Sequence, residues 1–138
     1  MTLPMKFSSF SPLRLAILAG LSLLCLISPL HAGDPSLNTE LVSPQDAAVF
    51  NNYPRTLTLQ WKAVLGASKY LVEIQCSVRN LDTGNNSWVD WQKKEVTDTQ
   101  FTIKNFAGAN PGRWRVTAFD SGGGASDATD WRTFRFTK

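Results

Sequence analysis

The chain has 138 residues, with 14 basic and 11 acidic side chains, one histidine and two cysteines. This length allows one small domain with a modest hydrophobic core. The small excess of positive charge does not indicate a nucleic-acid-binding protein, because the chain has no dense Lys/Arg cluster beyond Lys93-Lys94.

The N-terminus has the three parts of a secretory signal peptide. Lys6 and Arg14 give a positive start, an apolar run follows over residues 13–30, and Ala32 is a small residue at the cleavage position. We therefore predict that residues 1–32 are a cleaved signal peptide and that the protein is secreted or periplasmic.

Two other fates of this segment remain open. An uncleaved anchor is the first, although the apolar run is interrupted and short for a span of about 20 residues. A lipoprotein beginning at Cys25 is the second, although Leu24 stands where that signal has a small residue. With a cleaved signal, no membrane span is predicted for the rest of the chain.

Cleavage after Ala32 also limits the chemistry of the exported chain. It removes the only histidine, His31, together with Cys25, and brings the net charge from +3 to about +1. Without histidine, neither a Ser-His-Asp nor a Cys-His arrangement nor the usual zinc site can be built. The remaining Cys76 ends an apolar alternation and is predicted to be buried, with an intermolecular disulfide as the alternative. We predict a protein that is not an enzyme and has no cofactor or metal.

The rest of the chain is predicted to be a linker over residues 33–39 and a β-domain over residues 40–138. In the first clear strand Leu57, Leu59 and Trp61 alternate with polar residues, which is the period of a half-buried strand. Turn-forming residues separate the predicted strands. Together they indicate an all-β fold, a two-sheet antiparallel sandwich. Further strands are predicted over residues 70–76, 88–96, 101–103, 113–119 and 131–136.

The ordered segments resemble a fibronectin type III domain of the sort found in exported bacterial proteins. The resemblance covers about residues 40–137 and implies the immunoglobulin-like form of the sandwich. Gly112-Arg113 departs from it, because the family often has a Tyr just before the Trp-Arg-Val stretch. The resemblance is carried by Ser43-Pro44, Leu57-Thr-Leu-Gln-Trp61, residues 66–74 with Tyr70, residues 99–106, residues 111–118 with Trp114, and Trp131-Arg-Thr-Phe134.

Five tryptophans are many for a domain of this size. Trp61 and Trp114 lie on predicted inward rows and are assigned to the core. Trp88, Trp91 and Trp131 are candidate binding residues, because an exposed Trp can stack on a sugar ring or anchor a protein interface. Trp88 and Trp91 are three apart and should face opposite sides of a regular strand.

Charged residues supply further candidates. Arg113 and Arg115 are predicted to face outward beside Glu73, which favours cross-strand ion pairing, with a patch for an acidic polymer as the alternative. The Asp120–Asp130 loop is rich in Gly and acidic residues, but its spacing matches no calcium motif. A glycosidase could use two carboxylates without histidine, yet no motif singles out such a pair.

These features predict an exported, non-catalytic binding or interaction module. Its partner would be a cell-envelope polysaccharide or another exported protein, and not nucleic acid. The alternative is a structural or assembly protein that uses an open sheet edge to pair with itself or a partner.

Overall fold

A computed structural model of the protein describes residues 37–138. The predicted signal peptide, with its cleavage site, and most of the predicted linker lie outside the described residues. Of that linker, Leu37 packs against the core, and the hydroxyl of Thr39 donates a hydrogen bond to the backbone carbonyl of Lys62. No helix long and apolar enough to span a membrane occurs in residues 37–138.

The described residues form eight β-strands in two sheets, which confirms the predicted all-β sandwich. One sheet has the order β1-β3-β6 and the other the order β2-β8-β7-β4-β5. All pairings between neighbouring strands are antiparallel except that of β2 with β8. The strands are β1 (Leu41–Ser43), β2 (Ala48–Phe50), β3 (Leu57–Trp61), β4 (Ala67–Arg79), β5 (Asn86–Val96), β6 (Gln100–Ile103), β7 (Pro111–Asp120) and β8 (Arg132–Phe136).

Strand β3 shows how the sequence sets the inner face. Leu57, Leu59 and Trp61 are buried, whereas Thr58 and Gln60 between them are exposed. The same alternation runs along the two central strands of the larger sheet. Since burying one such apolar side chain contributes about 1.5–3 kcal/mol, these rows fix which face of each sheet turns inward. The buried rows of the larger sheet are Tyr70, Val72, Ile74 and Cys76 of β4, and Trp114, Val116 and Ala118 of β7.

The other end of the core is built from phenylalanines. The rings of Phe106 and Phe134 are 4.9 Å apart at their centroids, and those of Phe106 and Phe136 are 6.0 Å apart. Gly112 lies beneath them, where an added Cβ would come within 2.3 Å of Phe134 and 2.7 Å of Phe106. The departure from the family pattern at Gly112 therefore has a steric reason: the rings fill the space that a side chain would need.

Strand β2 was not predicted from the sequence. It has three residues, Ala48–Phe50, and pairs in parallel with β8 at the far end of the chain. A three-residue segment is too short to show a period of two, and its partner is distant in sequence. Strand β2 therefore depends on β8 being in place.

Candidate binding site on the outer face of the larger sheet

Four side chains from separate parts of the chain meet on the outer face of the five-stranded sheet. They are Trp88 of β5, Arg113 and Arg115 of β7, and Trp131 directly before β8; we call them the Trp–Arg stack. The guanidinium carbon of Arg113 lies 4.5 Å from the ring centroid of Trp88 and 4.3 Å from that of Trp131. That of Arg115 lies 4.4 Å from the centroid of Trp131. These distances are well within the range of cation–π attraction.

The strand register explains why these residues meet. Arg113 pairs with Thr133 of β8 on one side and with Gln75 of β4 on the other. Because β7 and β8 are antiparallel, continuing this register places Trp131 opposite Arg115. Trp88 pairs with Ser77 of β4. The side chain of Arg113 therefore reaches across β4 to contact Trp88.

A chain of hydrogen bonds and ion pairs runs beside the stack; we call it the polar network. Arg113 Nε donates to Gln75 Oε1 (2.8 Å), and Gln75 Nε2 donates to Asp90 Oδ1 (2.7 Å). Lys93 Nζ lies 3.1 Å from Asp90 Oδ2 and 3.3 Å from Glu73 Oε1. Arg115 Nε then donates to Glu73 Oε2 (2.6 Å), which returns the network to β7.

Glu73 is the buried member of this network. It is 7% exposed although it points to the outer face, since neighbouring side chains cover it. The hydrogen bond from Arg115 is the main reason that the pKa of the Glu73 carboxyl lies below its ordinary value; burial opposes this effect, and Lys93 adds to it. Glu73 is thus held as a carboxylate. The predicted cross-strand ion pair is present between Arg115 and Glu73.

Arg113 has a different environment from Arg115. Its side chain bonds to the neutral Gln75, and it forms no ion pair with any residue from 37 to 138. Burial, and then the charge of Arg115, lower the pKa of the Arg113 guanidinium. Arg113 is therefore a partly buried cation, without a counter-charge among the described residues, beside two indole rings.

The structure brings two of the three candidate tryptophans together. Trp88 and Trp131 belong to the stack, with 37% of Trp88 exposed and Trp131 half-buried. Trp91 lies on the inner side of β5, where its ring centroid is 5.1 Å from that of Phe106. Trp88 and Trp91 thus lie on opposite sides of β5, as their spacing predicts.

Trp91 lies at a β-bulge in β5. Asp90 pairs with Gln75 and Gln92 pairs with Ile74, so Trp91 is the extra residue between them. Such a bulge leaves no alternating pattern by which sequence analysis would recognise it. Sequence reasoning also missed Gln75, Asp90 and Lys93 as partners in one network. The outward position of Gln75 was the available signal. Asp90 and Lys93 are three apart, so regular alternation would put them on opposite faces, and the bulge between them brings both to the outer face.

In the acidic loop after β7, the Asp120 carboxylate accepts hydrogen bonds from the backbone of the same loop. Asp120 Oδ1 accepts hydrogen bonds from the backbone N–H of Gly122 (2.8 Å) and of Gly124 (2.7 Å). Over residues 37–138, no three His, Cys, Asp or Glu side chains are grouped as metal ligands. Cys76 is a free thiol and is 5% exposed in the core, which confirms the predicted burial.

The two unclosed sheets and their strand order define a fibronectin type III-like domain. The described chain is similar to the fibronectin type III domain of the human collagen α-1(XX) chain: 19% identity, 78% of this chain and 93% of that chain covered, TM-score 0.51. It is also similar to a fibronectin type III-like protein from Clostridium thermocellum, with 19% identity, coverage of 75% and 96%, and TM-score 0.49. No family model and no curated protein matches the chain. At this identity the likeness establishes the fold, and the ligand has to be argued from the site.

Proposed function

We propose that the protein is an exported, non-catalytic binding module whose outer sheet face binds a cell-envelope polysaccharide. The observation that carries the proposal is the Trp–Arg stack. It places two indole rings against the Arg113 guanidinium on the outer sheet face, with Trp88 37% exposed.

The arrangement suits a sugar polymer because of its shape and rigidity. Aromatic rings offer flat apolar surface, and the polar edges of neighbouring side chains offer hydrogen bonds. Asp90 and Lys93 lie next to the stack and are about half exposed, so their polar atoms are within reach of solvent and ligand. Arg113 contacts both rings and reduces their freedom before any ligand arrives, which lowers the entropy lost on binding.

Affinity electrophoresis in gels containing neutral and acidic polysaccharides tests the proposal. Protein produced from the full-length chain should be retarded by at least one polymer, and Trp88→Ala should reduce the retardation. Tyr53→Ala is the matched control, because Tyr53 is an aromatic residue 80% exposed outside the stack. Trp91→Phe should also bind like wild type. The proposal fails if no polymer retards the protein, and capture of an exported protein through Trp88 would then favour the protein-partner alternative.

The proposed export is tested on the same material. Mass spectrometry of the exported product should show an N-terminus at Gly33, since cleavage is predicted after Ala32. A product that begins at Met1 and stays with the membrane would show the uncleaved anchor. A lipid-modified product beginning at Cys25 would show the lipoprotein.

Strand β5 favours a second candidate function, assembly through a sheet edge. It has 11 residues and, among the strands of residues 37–138, pairs only with β4, so one side of its backbone is unpaired within this part of the chain. However, the bulge at Trp91 and the charges of Lys93 and Lys94 are features that discourage strand addition. Sedimentation over a range of concentrations separates the two: a monomer at all concentrations argues against self-assembly.

A further inference from the structure

We infer that the polysaccharide bound by the outer face is anionic, with uronic-acid units whose carboxylates pair with Arg113. This inference rests on the proposed function and names the substrate class of the same site. The charge balance of the stack and polar network, the free donors of Arg113 and their position beside Trp88 support it.

The charge balance of the Trp–Arg stack and the polar network leaves one cation in excess. The polar network and the stack contain Arg113, Arg115 and Lys93 against the two carboxylates of Glu73 and Asp90. Glu73 is neutralised by Arg115 and Lys93, and Asp90 by Lys93. The carboxylates already present are therefore engaged, and an incoming anion meets the unpaired charge of Arg113.

The donors of Arg113 fit a carboxylate. Its Nε is used by Gln75, and its two terminal nitrogens form no hydrogen bond with the residues described by the structure. A guanidinium presents its donors in a planar fork that matches the two oxygens of a carboxylate. Because burial and Arg115 disfavour the charged state of Arg113, a ligand anion there relieves an existing cost.

The neighbourhood of Arg113 fits a sugar that carries the carboxylate. The Arg113 guanidinium lies 4.5 Å from the Trp88 ring centroid, so a carboxylate on Arg113 places the attached pyranose ring at the edge or face of that indole. The site lies on an open sheet face and not in an enclosed cavity, since Trp88 is 37% exposed. A site on an open face suits an extended polymer in which each unit has a charge.

The test compares a uronic-acid oligomer with its own methyl ester. Oligomers of galacturonate and of mannuronate are titrated into protein from the full-length chain by calorimetry, as free acids and as methyl esters, with a neutral galactose oligomer beside them. The ester keeps the sugar and removes the charge. A charge-assisted bidentate pair predicts at least about tenfold tighter binding of the free acid, and added salt should weaken this preference.

Two variants locate the effect on the protein. Arg113→Gln should abolish the preference for the free acid, so that acid and ester bind alike, although both can bind more weakly because Arg113 also contacts the two rings. Arg135→Gln is the matched control, because Arg135 is an exposed arginine of β8 on the same face and outside the stack. It should keep the preference. If Arg113→Gln does not fold, the acid–ester comparison on wild type still decides whether the ligand is anionic. Arg113→Lys, which keeps the charge but loses the planar fork, then tests the assignment to Arg113 and should reduce the preference for the free acid.

The outcomes separate this inference from the proposed function. Equal binding of acid and ester, or binding of the neutral oligomer alone, overturns the anionic ligand and leaves polysaccharide binding in place. Failure of every oligomer and polymer to bind overturns both. A preference for the acid that survives Arg113→Gln overturns the assignment to Arg113.

Discussion

The guanidinium carbon of Arg113 lies 4.3 Å from the centroid of the Trp131 ring, although Trp131 follows the whole loop after β7. Arg113 is held from the other side by Gln75, whose amide passes the contact on to Asp90 of the edge strand. The Arg113 side chain of β7 therefore contacts β4 through Gln75, β5 through Trp88 and the segment before β8 through Trp131. Its planar guanidinium can contact the rings with its flat faces while its edge donates to Gln75.

The flat guanidinium of Arg113 should contribute measurably to the free energy of unfolding. Arg113→Lys keeps the charge but loses the flat group between the rings and the fork toward Gln75. We expect a loss of about 1 kcal/mol in the free energy of unfolding by urea, together with a changed near-ultraviolet circular dichroism. Arg135→Lys is the control and should change neither. Unchanged stability and dichroism in Arg113→Lys would show that the stack contributes nothing to folding.

The different positions of Trp88 and Trp91 predict opposite effects on stability and fluorescence. Trp91→Ala leaves a space beside Phe106 and should cost about 2 kcal/mol or more, because its ring packs against the core. Trp88→Ala should cost less. In turn, Trp88→Phe should remove more of the iodide-quenchable fluorescence than Trp91→Phe. Urea denaturation measures the two stability losses, and quenching titrations measure the two fluorescence losses. A larger stability loss for Trp88→Ala, or a larger loss of quenchable fluorescence for Trp91→Phe, would contradict the placement of Trp88 on the outer face and Trp91 against the core.

The lowered pKa of the Glu73 carboxyl predicts that the folded protein loses stability in acid. The pKa of this carboxyl in the folded protein is below the ordinary value of 4.5, so the unfolded chain takes up this proton first as the pH falls. The stability that Glu73 contributes is therefore present above about pH 4.5 and is lost as the pH falls through the folded pKa. Unfolding free energies measured from pH 7 to pH 3 should fall less steeply for Glu73→Gln.

The experiment on Glu73 includes a measurement at pH 7 and a control variant. Glu73→Gln should itself cost about 1–3 kcal/mol at pH 7, because Arg115 loses its charged partner. Glu95→Gln makes the same change on an exposed part of β5, where it pairs with Lys69. Equal acid slopes for wild type and Glu73→Gln would mean that the Arg115–Glu73 pair does not contribute to stability.

The close packing around Gly112 predicts that any added side chain there disturbs the core. An alanine Cβ at this position would lie within 2.7 Å of both Phe134 and Phe106, so the rings must move. Gly112→Ala should lower the free energy of unfolding by about 1–3 kcal/mol. Gly122→Ala is the matched control, because its nearest neighbour, Asp120 Oδ1, is 3.4 Å from the added Cβ in an exposed loop. Thermal unfolding of the two variants should differ clearly, and equal melting temperatures would contradict the packing described.

Much of the fold could be predicted from the sequence, because the alternation of apolar and polar residues is a local property of each strand. Leu57, Leu59 and Trp61 were predicted to point inward, and all three are buried. The same reasoning placed Trp114 in the core, where its exposure is 0%. Strand β2 was missed, since three residues carry no period and its pairing with β8 joins distant parts of the chain.

The candidate site was accessible only in part. The sequence singled out Trp88, Trp91 and Trp131 by residue type, and gave the opposite facing of Trp88 and Trp91 by their spacing. It did not show that Arg113 lies between Trp88 and Trp131, because that contact depends on the register of β7 against both β4 and β8. Nor did it show that Arg115, and not Arg113, pairs with Glu73.

The sequence by itself determined the inward rows, the two-sheet class of the fold and the outward direction of Arg113 and Arg115. These follow from the period of a strand, which each segment carries alone. Only the tertiary structure decided which side chains meet: Trp131 beside both arginines, Trp88 across β4 from Arg113, and Trp91 against Phe106. The physical reason is that contacts between strands are set by register, and register is fixed when the whole core packs.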